Sequence, residues 1–276
     1  MPVVAVINRK GGSGKSTLAT HIAAQAARSG AAVMLGDVDR QQSSLSWLRR
    51  RAAQPAAAGA HIAGWAVDPA SVMRPPAGVT HVVLDTPGGL HGMALARAVM
   101  TADVVLVPLC ASAFDRESAE ACVAELRALP RVAAGRCSVG LVGMRLDART
   151  RAAAELRSWA EDRGHTYVGG LREAQVYVRA AELGLTLFDL PAAKVAADLE
   201  QWQPIVTWLQ AALAESAVAE RSARAPQRPL DRPSRPAPLA APLARELQPD
   251  PMRKLPLPPA RSTGLLQGWF GRFLRA

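Results

Sequence analysis

An α/β fold with a doubly wound, mostly parallel sheet covered by helices is what the sequence predicts, on three observations. Apolar runs of strand length recur at residues 3–7, 31–35, 81–85, 104–109 and 139–144. Helix-period segments stand between and after them, at residues 18–28, 43–51, 115–129 and 150–162. Such alternation calls for crossover connections, which make neighbouring strands parallel and put helices on both faces of the sheet. The third observation is a glycine-bearing turn between the first strand and the first helix, at the carboxyl end of a strand, where this fold class builds its ligand sites.

In the first strand, Val3, Val4, Val6 and Ile7 read as buried. The turn that follows, RKGGSGKST at residues 9–17, has the strand, loop and helix context of a phosphate-binding loop. Gly11, Gly12 and Gly14 remove side chains where backbone N–H groups must wrap an anion. Lys15 is spaced to bridge terminal phosphates, Ser16 to offer its hydroxyl to Mg²⁺, and the following helix N-terminus adds partial positive charge. A glycine-rich surface turn accounts for the glycines but not for a Gly-Lys-Ser behind a strand.

With Lys10 ahead of the first glycine, the loop resembles the deviant Walker-A group of the ParA/MinD family of P-loop NTPases, written KGGxGK(S/T). That resemblance implies ATP and Mg²⁺ as cofactors and a nucleotide contact set of Lys10, Gly11, Gly12, Ser13, Gly14, Lys15, Ser16 and Thr17. It also implies a nucleotide-sandwich homodimer in which Lys10 reaches the phosphates of the opposite subunit. Taken from the residues alone, Lys10 is also compatible with a solvated loop cation.

The second apolar run ends in Asp37-Val38-Asp39-Arg40-Gln41. If the strand continues through Asp39, its alternation puts both carboxylates on one side, where they can arrange hydrated Mg²⁺ and an attacking water. The segment resembles the family's DxDxQ region, which implies that Asp37 supports the magnesium shell, Asp39 orients water for γ-phosphate hydrolysis and Gln41 shapes the switch. Arg40 stands where that pattern commonly has proline.

Residues 43–51, SSLSWLRRR, form a helix pattern in which Leu45 and Leu48 face protein and Arg49, Arg50 and Arg51 leave a basic patch, read either as a solvated helix end or as a nucleic-acid or partner contact. Residues 52–78, rich in alanine, glycine and proline, say little about chemistry, and His61 there reads as an ordinary polar surface residue. The run at residues 81–85 ends in Asp85, suited to hold magnesium through water, and Thr86-Pro87-Gly88 resembles the family's D(T/S)(P/A)(P/G) segment.

Further on, Gly143-Met144 stands where many relatives have an asparagine used around the base. Residues 170–190 resemble the family's late helix and strand, with Arg172 and Arg179 either beside a dimer or DNA surface or in structural roles. A last domain helix is expected over residues 193–214, with Leu199, Trp202, Ile205 and Leu209 as its apolar stripe.

Three cysteines without CxxC spacing, Cys110, Cys122 and Cys137, read as reduced core residues, and no apolar run is long enough to span a membrane. With an N-terminus that passes directly into a strand, the expected compartment is the cytoplasm, with nucleoid or peripheral membrane association as further options. The formal net charge is +10, and residues 216–276 hold 11 basic and 4 acidic groups, or +7 of it. Eleven prolines between residues 218 and 262 disfavour regular folding. Beyond them Leu265, Leu266, Trp269, Phe270, Phe273 and Leu274 recur at helical spacing.

The organisation expected is an ATPase domain at residues 1–217, a disordered proline/arginine-rich tether at 218–262 and a short amphipathic docking segment at 263–276. The tip has three open uses: docking on a protein, reversible attachment to anionic membrane, or packing back on its own domain. The function implied is an ATP-hydrolysing, dimerising switch that partitions DNA or positions a large intracellular assembly. Its expected partners are nonspecific DNA and an activating or cargo protein. The alternatives are a MinD-like membrane-associated positioning ATPase and an ATP-dependent metabolic enzyme with a related phosphate loop.

Overall fold

Among the described residues, seven strands form one sheet: β1 (Val3–Val6), β2 (Val33–Asp37), β3 (Ile62–Ala66), β4 (His81–Asp85), β5 (Val104–Leu109), β6 (Ser138–Leu146) and β7 (Tyr167–Arg172). Within the same described residues eight α-helices accompany them: α1 (Lys15–Arg28), α2 (Ser43–Arg51), α3 (Gly92–Met100), α4 (Ala113–Ala128), α5 (Pro130–Ala133), α6 (Ala152–Asp162), α7 (Gln175–Glu182) and α8 (Ala192–Arg224). This is a computed structural model in which residues 1–67 and 77–224 are described.

The strand order is β3-β2-β4-β1-β5-β6-β7, and every pairing is parallel. The chain leaves β1 toward β2, returns to β4 beside β1, and then crosses to β5 on the other side. The order therefore reverses at β1, and the crevice at its carboxyl end is the place where such sheets bind ligands.

Alternation along β1 sorts the core into two layers. Val4 and Val6 join Leu18 and Ile22 of α1, Trp47 of α2 and Trp202 and Ile205 of α8 on one face. Val3, Ala5 and Ile7 join Leu95 of α3, Cys122 and Leu126 of α4 and Leu156 of α6 on the other. Both faces are covered, as the apolar strand runs require.

Elements outside the sequence expectations include β3, α3 and α5. β3 is an edge strand whose apolar signal is diluted by Gly64, yet a Cβ at that glycine would come within 2.8 Å of Leu45 and 3.0 Å of Leu48 of α2. Edge position and close helix packing, both properties of the tertiary structure, explain a weakly patterned strand.

The last helix also differs from expectation. It runs to Arg224, overlapping the first residues expected as tether, because the proline-rich stretch begins only at Pro226. Ser216 donates to Asp103 at 2.9 Å and Arg131 pairs with Glu220 at 2.8 Å, so the helix is tied to the body beyond residue 217. Residues 225–276, which hold the rest of the expected tether and the expected docking segment 263–276, lie outside the described residues.

Candidate functional site

The turn between β1 and α1 forms a cradle. Gly12 and Gly14 adopt positive φ, 70° and 93°, which only glycine takes without strain. A Cβ at Gly14 would also reach 2.7 Å from Met144 of β6. Helix α1 begins at Lys15 with no acidic residue in its first turn, leaving its N-terminal partial charge uncompensated. The turn is fixed from beneath by Asn8, whose buried amide donates to Pro108 O at 2.6 Å and accepts from Lys10 N at 3.0 Å.

A cavity of about 830 Å³ opens over this cradle, lined by Gly11, Gly12, Gly14, Lys15, Ser16 and Thr17, by Asp39, and on the far wall by Met144, Arg145, Glu173 and Tyr177. Lys15 Nζ donates to Lys10 O at 2.9 Å across the loop. Burial lowers the Lys15 pKa from its ordinary value against the pull of Asp85 and Asp39. Ser13 is buried, and its Oγ has no hydrogen-bond partner.

Lys10 takes a different direction from Lys15. Its side chain, 40% exposed, pairs with Asp115 Oδ1 of α4 at 2.9 Å. Burial opposes ionisation of Asp115, yet the Lys10 ammonium and the Ser112 hydroxyl together hold its carboxyl below the ordinary value.

The three acids occupy two levels. Asp37 and Asp85 are in register on the adjacent strands β2 and β4 and are buried beneath the cavity floor. Strand β2 ends at Asp37, so Asp39 reaches the cavity from the turn, and alternation along a longer strand is not how the two acids are related. Asp39 Oδ1 accepts from Gln41 N at 2.9 Å. Asp37 Oδ1 accepts from Asp39 N at 3.1 Å, while its Oδ2 accepts from Ser44 N at 2.9 Å and Leu45 N at 3.1 Å. Burial raises the Asp37 pKa, and these amides only partly offset the rise.

Asp85 Oδ2 accepts from Ser44 Oγ at 2.6 Å, whereas Oδ1 has no hydrogen-bond partner. Burial pushes its carboxyl up to about 6, with the Ser44 and Ser16 hydroxyls opposing and Asp37 adding to the rise. A buried carboxylate with one orphaned oxygen, beside a serine at the start of α1, is a donor set that fits a hydrated divalent cation. The orphaned Ser13 hydroxyl and the uncapped helix start fit an anion in the cradle.

Several contributors escaped the sequence reading. The loop after β4 lies against the cradle: Gly89 N donates to Arg9 O at 2.6 Å, and a Cβ at Gly88 would come within 3.3 Å of Gly11. Glu125 of α4 joins the two loops, pairing with Arg9 and accepting from Gly92 N at 2.6 Å. Arg145, with a left-handed φ of 51°, donates to Gly12 O at 2.7 Å. Its unusual backbone is invisible in the sequence, where only the missing asparagine at Gly143-Met144 hints that this wall is built differently.

The arginine patch is corrected. Arg51 is buried and donates both Nη atoms to Asp189, at 2.7 and 2.9 Å, leaving Arg49 and Arg50 exposed. Arg172 is held by Asp198 through two bonds of 2.7 and 3.0 Å, a structural role, whereas Arg179 is exposed. Cys122 and Cys137 are free and buried, which pushes their thiols up to about 11 and about 12. No helix among the described residues is long and apolar enough to cross a membrane.

Comparison with known proteins adds relatives to this geometry. A family model described as the CobQ/CobB/MinD/ParA nucleotide binding domain matches residues 4–219. Over 108 residues the chain is 40% identical to Maintenance of carboxysome distribution protein A of Gloeobacter kilaueensis, covering 38% of this chain and 48% of that protein. The match thus spans about half the length of that relative. Among solved structures, apo McdA from Cyanothece superposes with a TM-score of 0.59 at 15% identity, covering 77% of this chain and 99% of that one. The MinD cell division protein of Aquifex aeolicus gives a TM-score of 0.54 at 15% identity, covering 80% and 98%. A putative plasmid partition protein of Borrelia burgdorferi bound to AMPPNP gives 0.52 at 15% identity, covering 75% and 98%. At these identities the structural likenesses establish the fold alone.

Proposed function

This chain belongs to the CobQ/CobB/MinD/ParA nucleotide-binding domain family, and from that premise we propose that it is a Mg-ATP-dependent, dimerising ATPase switch that positions a large intracellular assembly or partitions DNA. The observation that carries the reading is the pair of lysines on one glycine cradle. Lys15 reaches over the cradle to Lys10 O, while the Lys10 side chain, absent from the cavity lining, pairs with the buried Asp115. Two cations so placed serve two different phosphate groups, one in its own cavity and one beyond the rim.

In this reading the N–H groups of Gly11 to Thr17 and the N-terminus of α1 hold the phosphates, with Lys15 across them. Ser16 and Asp85, with Asp37 supporting, would hold Mg²⁺, which would supply charge neutralisation at the terminal phosphates. No cluster of three or more His, Cys, Asp and Glu among the described residues is arranged to hold a metal unaided. Asp39, at the cavity wall, orients the attacking water. Hydrolysis yields ADP and phosphate and reopens the dimer.

The ATP dimer doubles each basic surface and binds nonspecific DNA through electrostatics that weaken with salt. Exposed Arg49, Arg50 and Arg179 and the tail arginines are the candidates. An activating or cargo protein completes the cycle, and the resemblance of this chain, over 108 residues, to a carboxysome distribution protein favours the positioning of an assembly over a metabolic reaction.

The test is Lys10→Ala. Light scattering with a slowly hydrolysed ATP analogue is expected to show a dimer for the wild type and a nucleotide-bound monomer for the variant. Unchanged dimerisation and nucleotide exchange in the variant would refute the cross-subunit role.

A further inference from the structure

Helix α2 has an unusual start. Gln42 occupies the N-cap position with a left-handed φ of 51° and makes no capping bond through its side chain. The first amides of the helix are taken by an acid from strand β2 instead, through Ser44 N and Leu45 N to Asp37 Oδ2. Ser44 itself is fully buried, and its hydroxyl faces away from its own helix start to donate to Asp85 Oδ2 at 2.6 Å. One residue therefore touches both buried acids, which lie in register on neighbouring strands.

An ordinary serine at a helix start caps its own backbone or faces water. Ser44 does neither. Its bond selects between the two oxygens of Asp85: Oδ2 is engaged, and Oδ1 is left buried without a partner. A buried orphan of this kind is costly unless something satisfies it.

We propose that Ser44 is a positioning residue that fixes the Asp85 carboxylate with Oδ1 free for a hydrated cation and passes any shift of that carboxylate to the start of α2. The proposal rests on the Mg-nucleotide reading above and deepens it. The other end of α2 is anchored, because Arg51 is bound to Asp189 and a Cβ at Gly184 would collide with the Arg51 backbone. Displacement at Ser44 thus falls on the first turn, which carries the Asp39 loop, while the far end stays put.

The experiment uses the full chain as wild type, Ser44→Ala and Ser43→Ala, the last being the exposed neighbour that touches neither acid. ATP affinity is titrated against Mg²⁺ by calorimetry, and hydrogen exchange of α2 amides is followed with ATP plus chelator and with ATP plus Mg²⁺. In the wild type, Mg²⁺ is expected to change exchange at the first turn of α2. In Ser44→Ala the Mg²⁺ needed for half-maximal tightening rises about tenfold, the scale of a lost hydrogen bond to a charged group, and the α2 response disappears. Metal-free ATP binding stays at the wild-type level, and Ser43→Ala matches the wild type.

A Ser44→Ala protein with the wild-type Mg²⁺ requirement overturns the proposal. So does an equal loss of metal-free and metal-supported binding, which marks a merely structural role. A wild type whose α2 exchange ignores Mg²⁺ overturns it too, whether or not the variant folds. If the wild type binds no ATP at all, the functional reading falls and takes this proposal with it; normal wild-type binding with an unaffected variant removes this proposal alone.

Discussion

Asp85 holds a carboxylate where the interior disfavours charge. Its folded pKa of about 6 lies above the ordinary 3.8, so the ionised form destabilises the nucleotide-free fold at neutral pH, and the cost is relieved as pH falls from about 6 through 4. Asp85→Asn keeps the acceptor for Ser44 and removes the charge. Chemical denaturation at pH 7.5 is expected to show the variant more stable by about 3 kcal/mol, with the difference closing by pH 4. ATP hydrolysis in the same variant is expected to fall at least tenfold. A variant less stable at pH 7.5 would mean that Asp85 contributes to the apo fold through contacts of its own. Burial raises the Asp37 carboxyl too, but both of its oxygens already accept backbone N–H groups, and its contribution to the site is inseparable from starting α2.

Helix α2 is held at both ends by groups that the sequence does not place near it. At its far end Asp189 accepts from Arg51, from Arg28 at 2.9 Å, and from Thr186 N and Oγ1 at 2.7 Å. Burial opposes ionisation there, but Arg51 and Thr186 outweigh it and hold the carboxyl down at about 2. A carboxylate with a depressed folded pKa contributes stability that is present above its unfolded value, near 4, and lost as pH falls toward 2. Arg51→Ala is expected to cost about 3 kcal/mol in urea unfolding, because Asp189 keeps its burial while Arg28 alone remains to pair with it. The loss of stability between pH 4 and 2 should shrink with it; a variant with wild-type acid sensitivity would remove Arg51 as the cause. The bounds of α2 were legible from its period, since residues 43–51 are what the structure shows. That Arg51 turns inward was not, because Asp189 is 138 residues away and a run of three arginines looks alike whether one is buried or none. The loop glycines and the acids at strand ends were legible because strand, turn and helix are local signals; β3, Glu125, Asn8 and Ser44 depend on which strands become neighbours.

At the scale of the whole molecule, chemistry and excess charge occupy different parts of the chain. The cradle and its acids precede residue 86, whereas +7 of the +10 formal charge falls in residues 216–276. The fold closes with α8, whose Trp202 and Ile205 complete one core layer and whose Ser216 and Glu220 bind Asp103 and Arg131. A cut at residue 217 therefore trims a working helix end, and a cut after Arg224 is the cleaner separation of ATPase from tail. The tail is expected to govern where the ATPase acts and to leave its nucleotide chemistry alone, since a proline-rich tether lets a folded domain sample many positions while its tip is held. A chain ending at Arg224 should keep wild-type Mg-ATP affinity in calorimetry and lose one class of cellular focus at matched abundance. The chain ending at residue 217 should in addition unfold about 1 kcal/mol earlier, for want of the half-exposed Glu220 pairing. Unchanged localisation of the Arg224 truncation would reject targeting by the tail, and loss of ATP binding in it would reject the division between switch and tether. Anionic liposomes and a nonspecific duplex, each presented to the full chain and to this truncation, then separate the remaining uses of the tip. Binding to liposomes that vanishes with the tail and with Trp269→Ala plus Phe270→Ala assigns a membrane, while salt-sensitive duplex binding that merely weakens on truncation assigns the tail arginines to DNA.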